Sequence, residues 1–381
     1  MRGVPGVTSP VRDVGRPLYD GVMRRTKRVV GTAAVVLLAA MAACGGDDDE
    51  ASDRRLRSGE DFSIAAALAE LPTPEDDAGA MVSVADLDGL AEATGRDRPD
   101  DEEGGREWLQ AFISGTDDEV PALVVAAEPL HGFVSEDDPG VGDELGWSIA
   151  DVEAFGQVQA APRGVTVVSG DLGEGSLDDA DLEDLGGGVV SAGSGEDLAP
   201  DVDGGATAAR PGRVPLRMTA DGDHIVASPS TEVVEAWRDG TGPVLADDAE
   251  LVAVAEALDG AGALSAVLLL GSGEPGPEGL PVAPADRAGI GWSVDDGEAV
   301  ITVAYAYPDA TQAGAAAADL EAALHDDEAP AGEDAITDLL EVEEVAVDGE
   351  VVVATVRPGP EGRAATPYEL AILRRLPGAP G

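Results

Sequence analysis

The chain has 381 residues, 76 of them Asp or Glu against 23 Lys or Arg, with 50 glycines, 26 prolines, one cysteine and 44% hydrophobic residues. A formal charge of −53 repels phosphate backbones, which excludes a nucleic-acid binder, and a lone cysteine excludes an internal disulfide or a Cys-built zinc cluster. Ala, Val and Leu nevertheless recur at regular spacing, so the chain carries enough apolar material for one or two folded cores.

The first readable element is an export signal. Arg24, Arg25, Lys27 and Arg28 precede fifteen uncharged residues, 29–43, and then Cys44. This is the order of a charged n-region, an apolar h-region and a small-residue exit. As a helix the apolar run is about 22 Å long, short of the ~30 Å hydrocarbon core of a bilayer, so a cleaved leader fits better than a permanent span. Residues 1–22, with Pro5, Pro10, Pro17, Asp13 and Asp20, fit no signal design and read as an extension before a start at Met23. Met41-Ala42-Ala43-Cys44, followed by Gly45 and Gly46, resembles the lipobox of bacterial lipoproteins, with Met41 where that family more often has Leu. The resemblance covers only the leader, residues 23–43. It implies cleavage before Cys44, a diacylglyceryl group on the Cys44 thiol, and a body anchored to the cell membrane and facing outside. Ordinary secretion, with cleavage after Ala42, is the alternative; the position of the sole cysteine favours lipidation. Without residues 1–43, 16 arginines against 74 acids leave a charge of −58. A saline habitat and GC-rich coding both account for such an excess, which keeps a chain soluble while opposing compaction.

Residues 44–61, with Asp47, Asp48, Asp49 and Glu50, lack apolar periodicity and read as a disordered, solvated tether. A helical or mixed region, 62–163, follows. Its helix signals are Ile64, Leu68 and Leu71; Leu87, Leu90 and Ala91 behind Asp86; and Trp108, Leu109, Phe112 and Ile113, with an acidic loop at 97–105. A first α+β lobe, 164–270, opens with strands at 165–168 and 189–190 and a helix through Leu177, Leu182 and Leu185 between them, a β-α-β unit. Residues 214–219 and 223–228 then form a hairpin turning at Asp221-Gly222, followed by a helix from Ser230 through Trp237. Residues 194–213 read as an exposed loop. Asp247 and Glu250 cap a helix through Leu251, Val254 and Leu258, and the apolar strand 266–270 is expected to be central. A linker, 271–287, contains Pro275, Pro277, Pro281 and Pro284. The second lobe, 288–381, repeats the scheme with a strand at 300–307, a helix through Ala318, Asp319, Leu320 and Leu324, and a hairpin over 342–356 turning at Asp348-Gly349. Thr366, Pro367 and Glu369 spell a capping box. Ala180-Asp181-Leu182-Glu183 matches Ala318-Asp319-Leu320-Glu321, and Asp221-Gly222-Asp223 leading to Val226-Ala227-Ser228 matches Asp348-Gly349-Glu350 leading to Val353-Ala354-Thr355. The expected class is therefore α+β: two related β-α-β-β-α-like lobes with antiparallel hairpins, behind a helical segment and a tether.

Candidate chemistry is sparse. Gly271, Gly273 and Gly276 spell G-x-G-x-x-G after a strand, but Pro275 and Pro277 prevent the helix that would receive a phosphate, so a loop is expected. His131, His224 and His325 have no zinc spacing, and surface or capping roles are expected for them. Ser176 and Ser194 lie in glycine-rich turns without a nucleophile elbow. The acidic runs Asp97, Asp100, Asp101, Glu102, Glu103 and Glu136, Asp137, Asp138 lack the spacing of a calcium loop. Trp108, Trp147, Trp237 and Trp292 are expected in the core, although sugar-binding faces also use such rings.

Residues 165–170, the Ala227-Ser228-Pro229-Ser230 junction and Leu245-Ala246-Asp247-Asp248 give residues 146–271 a look similar to envelope lipoproteins of high-GC Gram-positive bacteria. That resemblance implies a location and no activity. The expected function is a non-catalytic module that binds a small ligand or an envelope protein, anchored through a lipid on Cys44, with no catalytic, metal or cofactor residue assigned. A hydrolase using carboxylates on cell-wall or extracellular material is the alternative. An enzyme gathers ionisable groups with displaced pKa values in one concave site, whereas a binding module needs only an apolar or aromatic groove.

Overall fold

A computed structural model describes residues 55–75, 79–114, 120–135, 140–173, 175–178, 180–202, 204–271, 282–325 and 335–380. The chain divides into a unit Met1–Asp49, which lies outside the described residues together with Cys44 and the leader, and a unit Glu50–Gly381, to which everything below refers. Gly273, Gly276 and residues 136–138 also lie outside the described residues.

Among the described residues the fold is α+β, built on one large antiparallel sheet of twelve strands. In chain order these are β1 Met81–Asp86, β2 Val152–Gln159, β3 Val165–Gly170, β4 Glu183–Gly186, β5 Val189–Ala192, β6 Leu216–Asp221, β7 His224–Ser228, β8 Ser265–Leu270, β9 Arg287–Asp295, β10 Glu298–Ala306, β11 Leu340–Asp348 and β12 Val351–Pro358. At the centre β1 pairs with β8, Ser83 opposite Val267. Outward from β1 run β2, β3, β7, β6, β5 and β4; outward from β8 run β9, β10, β12 and β11.

Period-2 alternation sends side chains to both faces, and both are buried. Ala85, Phe155, Val168, Ile225, Val267, Ile290, Trp292, Val303 and Val352 point to the first face. There they meet α2 Leu87–Thr94, α3 Glu102–Ser114, α4 Leu130–Phe133, α5 Val141–Leu145, α8 Ala310–Leu324 and α10 Thr366–Ile372. Val84, Ala154, Val167, Val226, Leu268 and Ala304 point to the second face, under α1 Ile64–Ala67, α6 Thr231–Arg238 and α7 Ala249–Gly260. A further short helix, α9 Ile336–Leu339, leads into β11.

β9 shows why some strands are hard to read from sequence. Its second-face positions are Gly289 and Gly291, where an added Cβ would lie 2.7 Å from Val254 Cγ1 and 2.8 Å from Ala263 Cβ. Glycine weakens a strand's intrinsic preference, yet here it lets α7 seat close against the sheet.

Several expectations change. Residues 165–170 and 189–192 are strands, but among the described residues no helix lies between them: residues 175–178 form a turn and residues 183–186 are the exposed strand β4. Leu177, Leu182 and Leu185 stand five and three apart, which is not one helical face, and glycines flank them. The β-α-β unit is thus absent, and the Ala180–Glu183 match sets a loop and strand against helix α8. Asp248, not Asp247, caps α7 by accepting from the N–H groups of Glu250 and Leu251; Asp247 instead accepts from Val244 N–H. At α10, Thr366 Oγ1 accepts from Arg363 N–H and Glu369 from the Arg363 guanidinium, so the expected capping box is replaced by a clasp around Arg363. The acidic loop is shorter than expected, because α3 starts at Glu102. Leu56, expected within the tether, is buried in the second-face core.

Candidate functional site

An apolar groove of about 620 Å³ opens where β2 and β3 turn and where β7 ends. Gln157 and Thr166, a directly opposed pair on β2 and β3, form part of its lining. The Gln157 side-chain amide closes a two-way bridge to residue 127: Ala127 N–H donates to its Oε1 (2.8 Å) and its Nε2 donates to Ala127 O (3.0 Å). Nε2 also donates to Thr166 Oγ1 at 2.8 Å. These bonds satisfy a buried amide and hold residues 127 and 128 as one wall. Pro211, Pro215 and Pro229 line the groove elsewhere, with Pro162 and Ala161 at its exposed rim. A proline-rich wall has little side-chain entropy to lose when something settles on it. Arg210 also lines the groove; its side chain is 10% exposed and its Nε donates to Glu144 at 2.5 Å.

A second, polar concavity of about 720 Å³ sits at the β9–β10 turn, the start of β11 and the end of β12. Arg357 dominates its chemistry, donating to Glu343 (2.6 Å), Glu298 (3.4 Å) and Asp295 (3.4 Å). The Glu343 carboxylate and its acidic neighbours raise the guanidinium's pKa further above its ordinary value.

Carboxylates with displaced pKa values stand apart from each other, each at the start of a helix. Asp86 caps α2 and is fully buried; burial pushes its pKa up to about 6 against hydrogen bonds from Gly89 and Gly59 N–H. Burial also raises Glu250, in the first turn of α7, with repulsion from Asp286 and Asp248 adding to it. Asp309 caps α8, and hydrogen bonds from Gln312 lower it. Asp197 is raised by burial, but bonds from Thr231 N–H, at the start of α6, and from Arg217 outweigh that and lower it.

The histidines are separate. His131 lies 3.7 Å from Glu128, and His325 Nδ1 lies 2.8 Å from Glu321 O, both on the surface. His224, expected in a surface or capping role, is fully buried. Its Nε2 bonds to Leu56 O at 2.8 Å, and Nδ1 lies 2.6 Å from Asp223 Oδ1, off the line of a hydrogen bond. Trp147, Trp237 and Trp292 are core residues; Trp292 Nε1 donates to Ala364 O at 2.7 Å. Trp108 is half-buried against Phe112 and Arg98. Ser194 bonds to Asp201, and Gly271 is buried just after β8. Asp101 accepts from Gly104 N–H and Glu102 from Gly142 N–H, which makes that acidic run a helix start. Among the described residues, no group of three or more His, Cys, Asp or Glu is arranged to hold a metal ion.

No groove residue was assigned a binding role in the sequence, although Val165, Thr166, Ala227 and Pro229 lie in stretches quoted there for the family resemblance. Gln157 and Thr166 are ordinary polar residues until β2 pairs with β3, and only the prolines of the segment before β6 gave a local signal, that of a loop. No family model, curated protein or solved structure matches the chain.

Proposed function

We propose that this chain is a lipid-anchored extracytoplasmic binding module, held to the membrane through Cys44, that takes an apolar small ligand or an apolar segment of an envelope partner in the β2–β3–β7 groove. The observation that carries the binding reading is the groove: its volume of about 620 Å³ falls in the range of small-molecule sites, and its polar amides are already satisfied internally. Such a wall favours apolar contact over chemistry.

The body reads as two related halves, beginning at α1 and at α7. In each, three strands meander outward from the centre, a crossover follows, and a hairpin returns with its second strand inside: β1-β2-β3 then β7-β6, and β8-β9-β10 then β12-β11. The matched hairpin residues also share faces, Ala227 and Ala354 on the first, Val226 and Val353 on the second. The two concavities occupy corresponding places, each at the second-to-third strand turn and the far end of the returning hairpin. One is apolar and the other charged, which fits halves that diverged in what they contact.

Two measurements test the proposal. The wild-type protein should label with a fatty-acid probe and partition with membranes, and Cys44→Ala should abolish both; an unlabelled, water-soluble wild type rules the anchor out. Titration with the neutral fluorophore N-phenyl-1-naphthylamine should give saturable binding that Ala161→Trp, at the exposed rim, weakens at least tenfold at unchanged melting temperature. Equal binding by the two proteins removes the groove from the proposal.

A further inference from the structure

Arg210, in the wall of the β2–β3–β7 groove, carries a charge that its neighbours only half satisfy. Its backbone is fixed, with N–H donating to Thr207 O and Oγ1 and the carbonyl accepting from Arg213 N–H. Its side chain, 10% exposed, reaches Glu144 on α5, to which Nε donates at 2.5 Å. The rest of the guanidinium lies against Gly193, just after β5, where an added Cβ would fall 2.2 Å from Nη1 and 2.7 Å from Cζ. Nη1 is buried with no hydrogen-bond partner, and among the described residues Glu144 is the sole acceptor for this side chain. Most of the guanidinium's donors are thus left over in a largely apolar surround, which folded proteins rarely allow.

The sheet under the groove narrows what can lie there. β2, β3, β7 and β6 are each paired on both sides, so the groove offers no open sheet edge to a peptide strand. An occupant without backbone amides suits it better. From the β2–β3 turn, with Ala161 and Pro162, to the start of β6, where Leu216 lies opposite Ala192, the groove crosses three strand spacings, or about 14 Å. Bonds of an extended alkyl chain advance about 1.25 Å each, so roughly ten carbons span that distance. Arg210 stands at the β6 end, beside Gly193. Glu128 is the other charged residue of the lining, and its carboxylate is exposed 3.7 Å from His131.

We propose that the groove takes a medium-chain fatty acid, with the apolar tail across β3 and β7 and the carboxylate on the Nη side of Arg210. This rests on the groove reading and adds the chemical class of the ligand. Glu144 keeps Nε, and the ligand takes the remaining donors in the charge-assisted, paired hydrogen bonds that a guanidinium makes with a planar carboxylate. Because Gly193 covers Nη1, the carboxylate meets Nη2 first and draws Nη1 from its seat by a small turn about Cδ–Nε. A single negative charge suits the site: Arg210 already shares its charge with Glu144, and a dianionic phosphate would bring a further uncompensated charge into a poorly solvated wall. The acidic body repels anions at long range, but at physiological salt that field is screened beyond about 8 Å, so the buried guanidinium sets the local sign.

Displacement of N-phenyl-1-naphthylamine from the full chain by decanoate, decan-1-ol and decylamine, at neutral pH and physiological salt, varies the head group with the tail held constant. The wild type should bind decanoate at least tenfold tighter than either of the others, a comparison that needs no variant to fold. Arg210→Met should reduce the preference to less than about twofold. Because that change leaves the Glu144 carboxylate unpaired, the double variant Arg210→Met with Glu144→Leu is measured beside it and should show the same loss. Ala161→Trp should weaken decanoate and decanol by the same factor, so that the preference survives. A wild type that binds all three alike, or a folded double variant that keeps the preference, overturns the fatty-acid reading and leaves the groove in place. A wild type that binds neither the fluorophore nor any of the three removes the groove, and this inference with it.

Discussion

The pairing of Arg217 with Asp197 shows how a single acid can organise a region. The guanidinium is 2% exposed on β6 and is met by Asp197 Oδ1 (2.9 Å), Gly195 O (2.7 Å) and the Ser191 hydroxyl. Asp197 reaches on to Thr231 N–H (2.6 Å) and Thr231 Oγ1 (2.9 Å), so one carboxylate ties the loop before β6 to the start of α6. Removing it leaves a buried cation unpaired and a helix uncapped. Asp197→Ala is expected to cost about 3–5 kcal/mol in denaturant unfolding, whereas Asp239→Ala, at an exposed ion pair with Arg238, should cost under about 1 kcal/mol. The depressed pKa of Asp197 means its contribution is present above the unfolded carboxylate value and lost as pH falls through the lower, folded one. Sequence reading sees such residues only as acids near helix starts. It identified Asp86 ahead of α2, but not that this cap is also a buried anchor, because Gly59 approaches it from outside the helix.

The elements most legible in the sequence were those with a strong local cause. Both expected hairpins exist, and their glycines do what the dipeptides implied: Gly222 has φ 63° and Gly349 φ 60°, left-handed values that an L-residue adopts at a cost. No heavy atom lies within 4 Å of a Cβ added at either, so the cost is conformational alone. Gly222→Ala and Gly349→Ala should each destabilise by about 1–2 kcal/mol, measurable by denaturant unfolding. A much larger loss at one of them would show that its turn makes contacts the other lacks. β1, β2 and β9 were missed for stated reasons. β1 passes into α2 with Asp86 serving both, leaving no turn to mark the boundary. β2 and β9 carry glycine where a helix or leucine must approach, Gly156 against Leu71 and Gly289 against Val254, so their strand preference is weak.

At the level of the whole molecule, the acidic excess and the sheet solve different problems. A body this negative gains from burying apolar side chains on both faces of one sheet, which lets carboxylates gather at helix starts and along the exposed edge strand β11, with Glu341, Glu344 and Asp348. Charged side chains on an outer strand also oppose pairing with another chain. The α+β class, the hairpins, the central place of residues 266–270 and the burial of Trp147, Trp237 and Trp292 were all legible beforehand, because apolar period, turn chemistry and capping are local properties that each segment carries with it. The glycine seats under α7, the burial of His224 beneath Leu56 and the groove at the ends of β2, β3 and β7 were decided only by tertiary structure. Each arises where residues tens or hundreds of positions apart meet, and the free energy of such a meeting belongs to the pair of surfaces and is written in neither segment alone.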